Sequence, residues 1–215
     1  MIRERVEEYL GAIYRLRSDT STPLPLSHLA EYFGFSPVSV HEMVHKLDKH
    51  GWVVYHPYRG VKLTDNGEDA AQALLRRHRL WERFLTDVLD IAWDDAHVIA
   101  GRLEHAATEL VTERLADFLG EPDSCPHGGP IPPLGVDRAE QCLRSLVVDG
   151  QARVSRISPE TADRLQRVQA WELMPGSRLQ VLEQHPEGTV VRLMKTGREV
   201  EVPVDDARAI WVGTA

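Results

Sequence analysis

The sequence contains only two cysteines among its 215 residues, Cys125 and Cys142. So few thiols exclude a disulfide framework and favour a reducing compartment. Long apolar runs are also missing, since no uninterrupted stretch approaches the roughly 18 residues of a membrane span. The charged N-terminus "MIRERVEEYL" has no apolar signal-peptide core. We therefore expect a cytoplasmic protein without a membrane partner.

A basic excess is missing as well, because the chain has 25 lysines and arginines against 33 acidic residues. Proteins that bind nucleic acid usually show the opposite balance. The charge is uneven, however. Residues 73–140 contain 7 basic and 13 acidic residues, whereas residues 36–62 contain four basic residues, two acidic residues and four histidines. The middle of the chain therefore has the excess negative charge that attracts a cation. Residues 36–62 have the excess positive charge that attracts a polyanion.

A nucleophile elbow of the Gly-x-Ser-x-Gly type is the third absence. A metallohydrolase that uses His78, Glu82, His97 and His105 is still an alternative interpretation. It would require an open coordination position beside a substrate cleft.

The first third of the chain has the pattern of a winged helix-turn-helix. "VEEYLGAIYRL" and "PLSHLAEYFGF" have apolar residues at helical spacing, and we expect Ser27 to cap the second helix and Gly34 to end it. In "SPVSVHEMVHKLDKHGW", Ser36 can cap a third helix and Pro37 suits its first turn. "WVVYHPYRGVKLT" predicts two short strands around a turn. Two short helices followed by a hairpin are typical of this DNA-binding module.

The polar face of the third helix and the hairpin carry the residues that we expect to contact double-stranded DNA. Short side chains near the start of the helix suit base edges, and the later basic residues suit phosphates. The expected contact residues are Ser36, Pro37, Val38, Ser39, His41, Glu42, His45, Lys46, Lys49, Arg59 and Lys62. A generic helical packing module with a solvated face is the alternative.

The middle of the chain places metal-binding residue types together. "EDAAQALLRRHRLWERFLTDVL" predicts a long helix on which His78 and Glu82 lie one turn apart. "DDAHVIAGRLEHAATELVTERLADFL" predicts one further helix. One narrow stripe of that helix carries His97, Gly101, Glu104 and His105. The loop "SCPHGGPIPP" then adds Cys125 and His127. Any one pair alone is typical of an ion pair or a buried histidine, but together they indicate a metal site.

The last third has the alternating pattern of a small β-barrel, in "RLQVLEQ", "TVVRLMK" and "EVEVPV". We expect Cys142 to be a buried core residue there. Such a barrel could supply a metal ligand, stabilise a dimer or bind a proline-rich segment of its own linker, and the sequence does not choose between these.

Several stretches resemble the diphtheria toxin repressor and manganese transport regulator family of metal-activated transcription factors. They are "VEEYLGAIYRL", "HKLDKHGWVVYHPYRGVKLTDNG", "RRHRLWERFLTD", "RLEHA", "CPHGGPIP" and, like the SH3-like third domain of longer members, the segment from "WELMPG" to "RAIWV". The resemblance covers essentially the whole chain. It implies a mainly α fold with small β parts. The expected domains are a winged helix-turn-helix over 1–72, a helical metal-binding and dimerisation domain over 73–141, and an SH3-like, FeoA-like domain over 142–215.

The resemblance also implies metal ligands, position by position. The positions of Glu8, Glu104 and His105 correspond to one family site. Iron-type members have methionine at the position of Glu8 and manganese-type members aspartate, so a carboxylate there favours Mn²⁺ over the alternatives Fe²⁺, Co²⁺ and Zn²⁺. Two departures stand out. Gly101 replaces a side-chain ligand and offers only its carbonyl, and Gly11 replaces a glutamate, which argues against a binuclear cluster.

A second family site corresponds to His78, Glu82 and His97. In a streptococcal-like branch of manganese regulators, the position of Glu82 instead pairs with a Cys-x-His loop and a carboxylate of the third domain. This chain matches that loop with Cys125 and His127, and the carboxylate with Glu160 or Asp163. The thiolate makes this site softer than the one at Glu8, so the two are expected to prefer different ions.

The function implied is a homodimeric repressor of metal-uptake genes that is activated by Mn²⁺ or Fe²⁺ and binds a palindromic operator. Apolar residues expected at the dimer interface are Leu110, Leu115 and Phe118, although an intrachain core would explain them too. A winged-helix regulator whose metal sites are purely structural is the other alternative.

Overall fold

The structure, a computed structural model, describes residues 2–17, 19–133 and 140–213. It divides into two compact units, Met1–Arg77 and His78–Ala215, each of which is described by itself. The predicted fold class is confirmed: an N-terminal winged helix-turn-helix, a helical region and a C-terminal β-sheet domain. None of the described helices is both long and apolar enough to cross a membrane.

The first unit has the predicted winged helix-turn-helix. Its elements are α1 (Ile2–Leu16), α2 (Leu26–Phe33), α3 (Pro37–Lys49), β1 (Val53–His56), β2 (Gly60–Leu63) and the first part of α4 (Asp65–Asp87). The two strands pair antiparallel and form the wing. The predicted helices and hairpin of this region are therefore confirmed.

Helix α3 begins where predicted because its first turn is capped. Ser36 Oγ accepts a hydrogen bond from Ser39 N at 3.2 Å, and Pro37 occupies the first helical position. Three apolar residues one turn apart, Val40, Val44 and Leu47, are fully buried. Because that stripe faces the core, the opposite face of α3 is exposed.

Helix α2 ends as predicted but begins differently. Gly34 ends it in the left-handed conformation, with φ 64°. The expectation that Ser27 caps α2 is wrong, because the helix starts at Leu26 and Pro25 occupies the N-cap position. Proline fixes its own φ at a value suited to helix entry, so no side-chain cap is needed there.

The second unit contains the end of α4 and two shorter helices, α5 (Trp93–Leu103) and α6 (Glu109–Leu119). The prediction of a single helix over 94–119 is therefore wrong. Thr108 takes an extended backbone and its side chain accepts a hydrogen bond from Val111 N, so it starts a new helix. As a result Glu104 lies at the C-cap of α5 and His105 follows in the turn.

The rest of the second unit is a six-stranded antiparallel sheet with two helices. Its elements are β3 (Gln141–Cys142), β4 (Gln151–Ile157), α7 (Ala162–Ala170), β5 (Arg178–His185), β6 (Gly188–Leu193), β7 (Glu199–Pro203), α8 (Val204–Ala209) and β8 (Ile210–Gly213). The strand order is β3-β8-β4-β5-β6-β7. The three predicted strands are confirmed, and their alternate residues form one core with Trp93 of α5.

The expectation that Cys142 is a buried core residue is wrong: it lies on the two-residue edge strand β3, is only partly buried, and its Sγ is 3.1 Å from Ser145 Oγ. Both cysteines are free. Leu115 is buried in the unit's own core, whereas Leu110 and Phe118 are 68% and 66% exposed.

A glycine at the wing supports the first unit and provides a test of its packing. Gly60 has φ 128°, and a Cβ added there would lie 2.1 Å from the carbonyl oxygen of Leu24, which accepts a hydrogen bond from Val61 N. We expect Gly60→Ala to lower the free energy of unfolding by roughly 3 kcal/mol, through clash and backbone strain. Chemical denaturation followed by circular dichroism measures this.

Gly51→Ala is the matched control, since Gly51 also has positive φ, 75°, but an added Cβ meets nothing within 4 Å. It should cost only roughly 1 kcal/mol, the price of the left-handed backbone alone. Equal losses in the two variants would show that the contact between Gly60 and Leu24 does not matter.

Candidate metal centre

A buried carboxylate in α4 is the focus of the second unit. Glu82 is 0% exposed, and its Oε1 lies within hydrogen-bonding distance of three imidazoles. The distances are 2.9 Å to His78 Nε2, 2.8 Å to His97 Nδ1 and 3.2 Å to His127 Nδ1. A carboxylate removed from water is stable only when charges or hydrogen bonds compensate it.

Three chain segments bring these groups together. His78 and Glu82 are one turn apart on α4, as the i, i+4 spacing predicts. His97 comes from the first turns of α5, and His127 comes from the loop that follows α6. The sequence gives the helical pair directly, but the approach of the other two is a result of tertiary packing.

The Cys-Pro-His loop is held rigidly by its own backbone. Gly128 N donates to Cys125 O at 2.9 Å, and Cys125 N donates to Gly129 O at 2.8 Å. The loop also joins strand β4, since Ile157 N donates to His127 O at 3.0 Å. A Cβ on Gly128 would lie 1.9 Å from the carbonyl oxygen of Ser155, so only glycine permits this approach.

The orientation of the His127 ring is set by a backbone carbonyl. Its Nε2 donates a hydrogen bond to Trp93 O at 3.1 Å, so Nδ1 is the nitrogen that faces Glu82. A hydrogen bond of this kind on the far nitrogen commonly fixes the ring of a metal-binding histidine. The ring is 0% exposed and therefore cannot swing into solvent.

The third domain supplies a carboxylate from the segment before α7. Glu160 Oε2 is 3.8 Å from His97 Nδ1. Two groups of potential ligand atoms result, each with all its atoms within 4.8 Å of one another: His78, Glu82, His97 and Glu160, and Glu82, Cys125 and His127. Asp163, the other expected carboxylate, belongs to neither group and is exposed on α7.

The ionisation of this cluster reflects its burial and its charges. Burial alone would lower the pKa of His78, but Glu82 and Glu104 outweigh it and raise that pKa to about 10. Burial would likewise lower the pKa of His127, and Glu82 and Glu160 raise it above its usual value. Burial would raise the pKa of Glu82, yet His78 and His127 hold it well below the usual range. Protonated imidazoles thus balance the carboxylate.

The thiol of Cys125 has the opposite environment. Burial, together with the negative charges of Glu82 and Glu160, raises its pKa well above the usual value. Its Sγ is 3.8 Å from His127 Nδ1. In the protein alone this group is a neutral thiol, and it becomes a thiolate only when a strong positive charge replaces the protons nearby.

Two observations indicate that the residues around Glu82 fit a divalent cation. Among the described residues no hydrogen bond reaches Glu82 Oε2, although this oxygen is fully buried. Imidazole nitrogen, thiolate and carboxylate oxygen are also the donor types of transition-metal sites. Ligands of one ion at about 2.0–2.3 Å lie no more than about 4.6 Å apart, which is comparable with the spread of these two groups.

The other expected ligands are distributed over both units. In the second unit, Glu104 Oε2 lies 2.6 Å from His78 Nδ1, and His105 Nε2 lies 3.5 Å from Glu104 Oε1. A Cβ at Gly101 would meet nothing within 4 Å. Glu8 is an exposed residue of α1 in the first unit. The site predicted from Glu8, Gly101, Glu104 and His105 stays a prediction.

The expected DNA-contacting residues lie on one exposed surface of the first unit. All those of α3 and its cap are exposed, as is Arg59 at the wing, and Lys62 is half-buried. Their exposure follows from the burial of the opposite stripe of the helix, described above. Tyr55 of the wing packs against the rings of His41 and His45, a contact that the sequence reasoning missed.

Three further features of the structure were not predicted from the sequence, and only one of them has a signal there. The carbonyl of Trp93 that orients His127, and the contact of His78 with Glu104, are products of packing and have no local signature. The break between α5 and α6 was detectable, because Thr108 is a favoured N-cap residue inside the supposed helix.

Comparison with known proteins identifies three family profiles along the chain. The N-terminal DNA binding domain of the iron dependent repressors matches residues 1–61, and their metal binding and dimerisation domain matches residues 64–133. The FeoA domain matches residues 142–213. Together they span nearly all of the sequence.

Individual relatives agree along their full length. The iron-dependent repressor IdeR of Mycobacterium leprae (strain TN) is 30% identical over 224 residues, covering 97% of this chain and 96% of that protein. A manganese-dependent transcriptional repressor solved in complex with manganese has a TM-score of 0.89 and 32% identity, covering 98% and 100% of the two chains. The manganese regulator SloR has a TM-score of 0.81 and 30% identity, covering 98% of each. With its profiles, its relatives and its buried ligand cluster in agreement, this chain belongs to the iron-dependent repressor family of metal-dependent transcriptional repressors.

Proposed function

We propose that this protein is a cytoplasmic, homodimeric repressor that binds a palindromic operator when a divalent cation is bound, and that it controls genes of metal uptake. The observation that supports this most is the buried cluster around Glu82, where six potential ligand side chains converge and, among the described residues, Glu82 Oε2 accepts no hydrogen bond. We propose no enzymatic activity, in keeping with a family of transcriptional repressors.

The proposed ligands of the second unit are His78, Glu82, His97, Cys125, His127 and Glu160. When bound there, a divalent cation supplies the positive charge that protonated imidazoles otherwise provide. Because the thiol and the imidazoles are soft or borderline donors, this cluster suits Fe²⁺, Co²⁺ or Zn²⁺ as well as Mn²⁺. Glu8, Gly101, Glu104 and His105 stay part of the proposal as a harder site.

We favour Mn²⁺ as the activating ion, with Fe²⁺ next. The carboxylate of Glu8 is a hard donor that suits Mn²⁺. Two of the similar solved structures are described as manganese-dependent or manganese-regulating proteins. The curated relative from Mycobacterium leprae is described as iron-dependent, and it supports the second choice.

The residues of the cluster must lose protons before they can bind a cation. His78, with its pKa raised to about 10, holds a proton at neutral pH in the protein alone, and the raised pKa of His127 favours its protonated form. Each must give up its proton to offer a lone pair, and Cys125 must also ionise. The affinity of the cluster for any divalent cation should therefore rise as the pH increases from neutrality towards 10.

We propose that DNA recognition uses α3 and the wing. Ser36, Ser39 and His41 lie near the start of α3, where they can reach base edges, and Lys46 and Lys49 follow where phosphates lie. The exposed apolar side chains of α6, Leu110 and Phe118, are the proposed dimer contact. A dimer presents two such helices, which suits a palindromic site.

The proposal assigns the three predicted regions distinct tasks. Residues 1–72 bind DNA, residues 73–141 bind metal and form the dimer, and residues 142–215 contribute Glu160 to the metal cluster. The positions of the three family profiles support this division. If metal and operator each favour one state of the protein, each must raise the affinity of the other by the same factor.

The two cysteines permit a matched test of the metal cluster. Full-length protein loaded with Co²⁺ should show a thiolate-to-metal charge-transfer absorption band, because Cys125 Sγ is within reach of Glu82 and His127. We expect Cys125→Ser to abolish this band. Cys142→Ser, at the edge strand β3, should leave it unchanged. A band that survives in Cys125→Ser, or disappears in Cys142→Ser, would contradict the proposed ligand set.

A second test concerns the DNA surface. Lys49→Ala should weaken binding to all duplexes to a similar degree. It should also make the slope of log affinity against log salt less negative by about 1, as expected for one lost phosphate contact. Lys195→Ala, at an exposed position of the second unit, is the control and should change neither quantity. Fluorescence anisotropy at several salt concentrations provides both values, and an unchanged slope in Lys49→Ala would remove this residue from the interface.

A further inference from the structure

Two histidines on the exposed face of α3 form a pair that the metal cluster around Glu82 does not use. His41 and His45 are one helical turn apart, and both side chains are exposed. Their Nε2 atoms are 3.2 Å apart, closer than two side chains on a solvated helix face need to be. One proton can be shared across this contact, so at most one of the two nitrogens acts as a donor in it.

The wing holds the two rings in place. Tyr55 packs against both, with ring centroids 5.4 Å from His41 and 4.8 Å from His45. The backbone of Tyr55 is itself fixed, because its N–H donates to Asp48 Oδ1 at 3.0 Å. The rings are thus ordered before any ligand arrives, which reduces the entropy lost on binding.

The spacing of the two nitrogens matches the bite of a metal chelate. Two nitrogens 3.2 Å apart, each about 2.0–2.1 Å from one ion, subtend an angle of about 100° at that ion, close to the tetrahedral value. When the two Nδ1 atoms carry the ring protons, each Nε2 has a lone pair available to the same ion.

We propose that His41 and His45 form a separate binding site for a late first-row divalent cation such as Ni²⁺, Cu²⁺ or Zn²⁺, and that its occupation opposes DNA binding. Imidazole suits these three ions, which stand at the high-affinity end of the divalent series. Mn²⁺ prefers oxygen donors and stands at the low end, so the ion proposed as activator leaves the pair free. Water completes the coordination.

Because of the charges around it, the histidine pair should bind cations more weakly than the buried cluster around Glu82 does. Glu42 is the acidic neighbour on the same helix face, whereas Lys46 and Lys49 oppose a cation, and Asp48 is engaged by Tyr55. Solvent also screens an exposed site. The histidine pair should therefore bind Ni²⁺, Cu²⁺ or Zn²⁺ only when the concentration of the free ion exceeds the one that saturates the cluster around Glu82. The pair then responds to an excess of these ions.

Opposition to DNA follows from position and rests on the proposed function. Both histidines lie on the face of α3 that is proposed to enter the major groove, and a hydrated ion there occupies the space of base edges. By linkage, an ion that weakens DNA binding is itself released by DNA to the same extent.

The site itself is tested without DNA. Full-length protein is titrated with Ni²⁺ by calorimetry, and we expect His41→Gln/His45→Gln to bind one ion per chain fewer than the wild type. His28→Gln is the control, since His28 is an exposed histidine of the neighbouring helix α2 and should leave the stoichiometry unchanged. The single variants His41→Gln and His45→Gln should each weaken this class of site. Equal stoichiometry in the wild type and the double variant would overturn the proposal.

The effect on DNA is measured with protein saturated with Mn²⁺ and a duplex that this protein selects from random sequence. Adding Ni²⁺ should lower the affinity of the wild type by at least about tenfold, a factor typical of coupled sites, and His45→Gln should lose this response. An equal loss in His45→Gln would overturn the link to DNA. If the wild type with Mn²⁺ binds no duplex, the proposed function fails instead, and the Ni²⁺ stoichiometry still decides whether the histidine pair is a site.

Discussion

The carboxylate of Glu82 is buried without contact to solvent, and imidazoles from three chain segments surround it. A buried carboxylate without compensating charge would cost several kcal/mol, so these histidines must stay close to it. Glu82 in turn raises the pKa of His78, to about 10, and the pKa of His127 above its usual value. The proposed cation would need the lone pairs of these groups, so protons and the cation would compete for the cluster.

Otherwise separate elements converge on Glu82. Helix α4 supplies the helical pair, α5 supplies His97, and the rigid loop of Cys125 and His127 is joined to strand β4 by a backbone hydrogen bond. Glu160 adds a carboxylate from the segment that leads to α7. The β-sheet domain is thus linked to the helices through the groups of this cluster.

The sequence predicted the local features and missed those that depend on packing. The capped start of α3, the hairpin and the strands of the β-sheet domain follow from short-range rules, and the structure confirms them. The i, i+4 pair of His78 and Glu82 was also readable. The break at Thr108 was missed because helical spacing was extended through a favoured N-cap residue. The carbonyl of Trp93 beside His127 was not readable, since backbone groups carry no residue signature.

We propose that a divalent cation controls DNA binding through Glu82. The most direct measurement compares duplex affinity with saturating Mn²⁺ and with a chelator, in the wild type, in Glu82→Gln and in Glu183→Gln, an exposed control. We predict that chelation weakens the wild type and Glu183→Gln by at least about tenfold, and that Glu82→Gln, shown to be folded by circular dichroism, binds weakly under both conditions. Wild-type affinity indifferent to the chelator, or a full Mn²⁺ response in Glu82→Gln, would contradict the account.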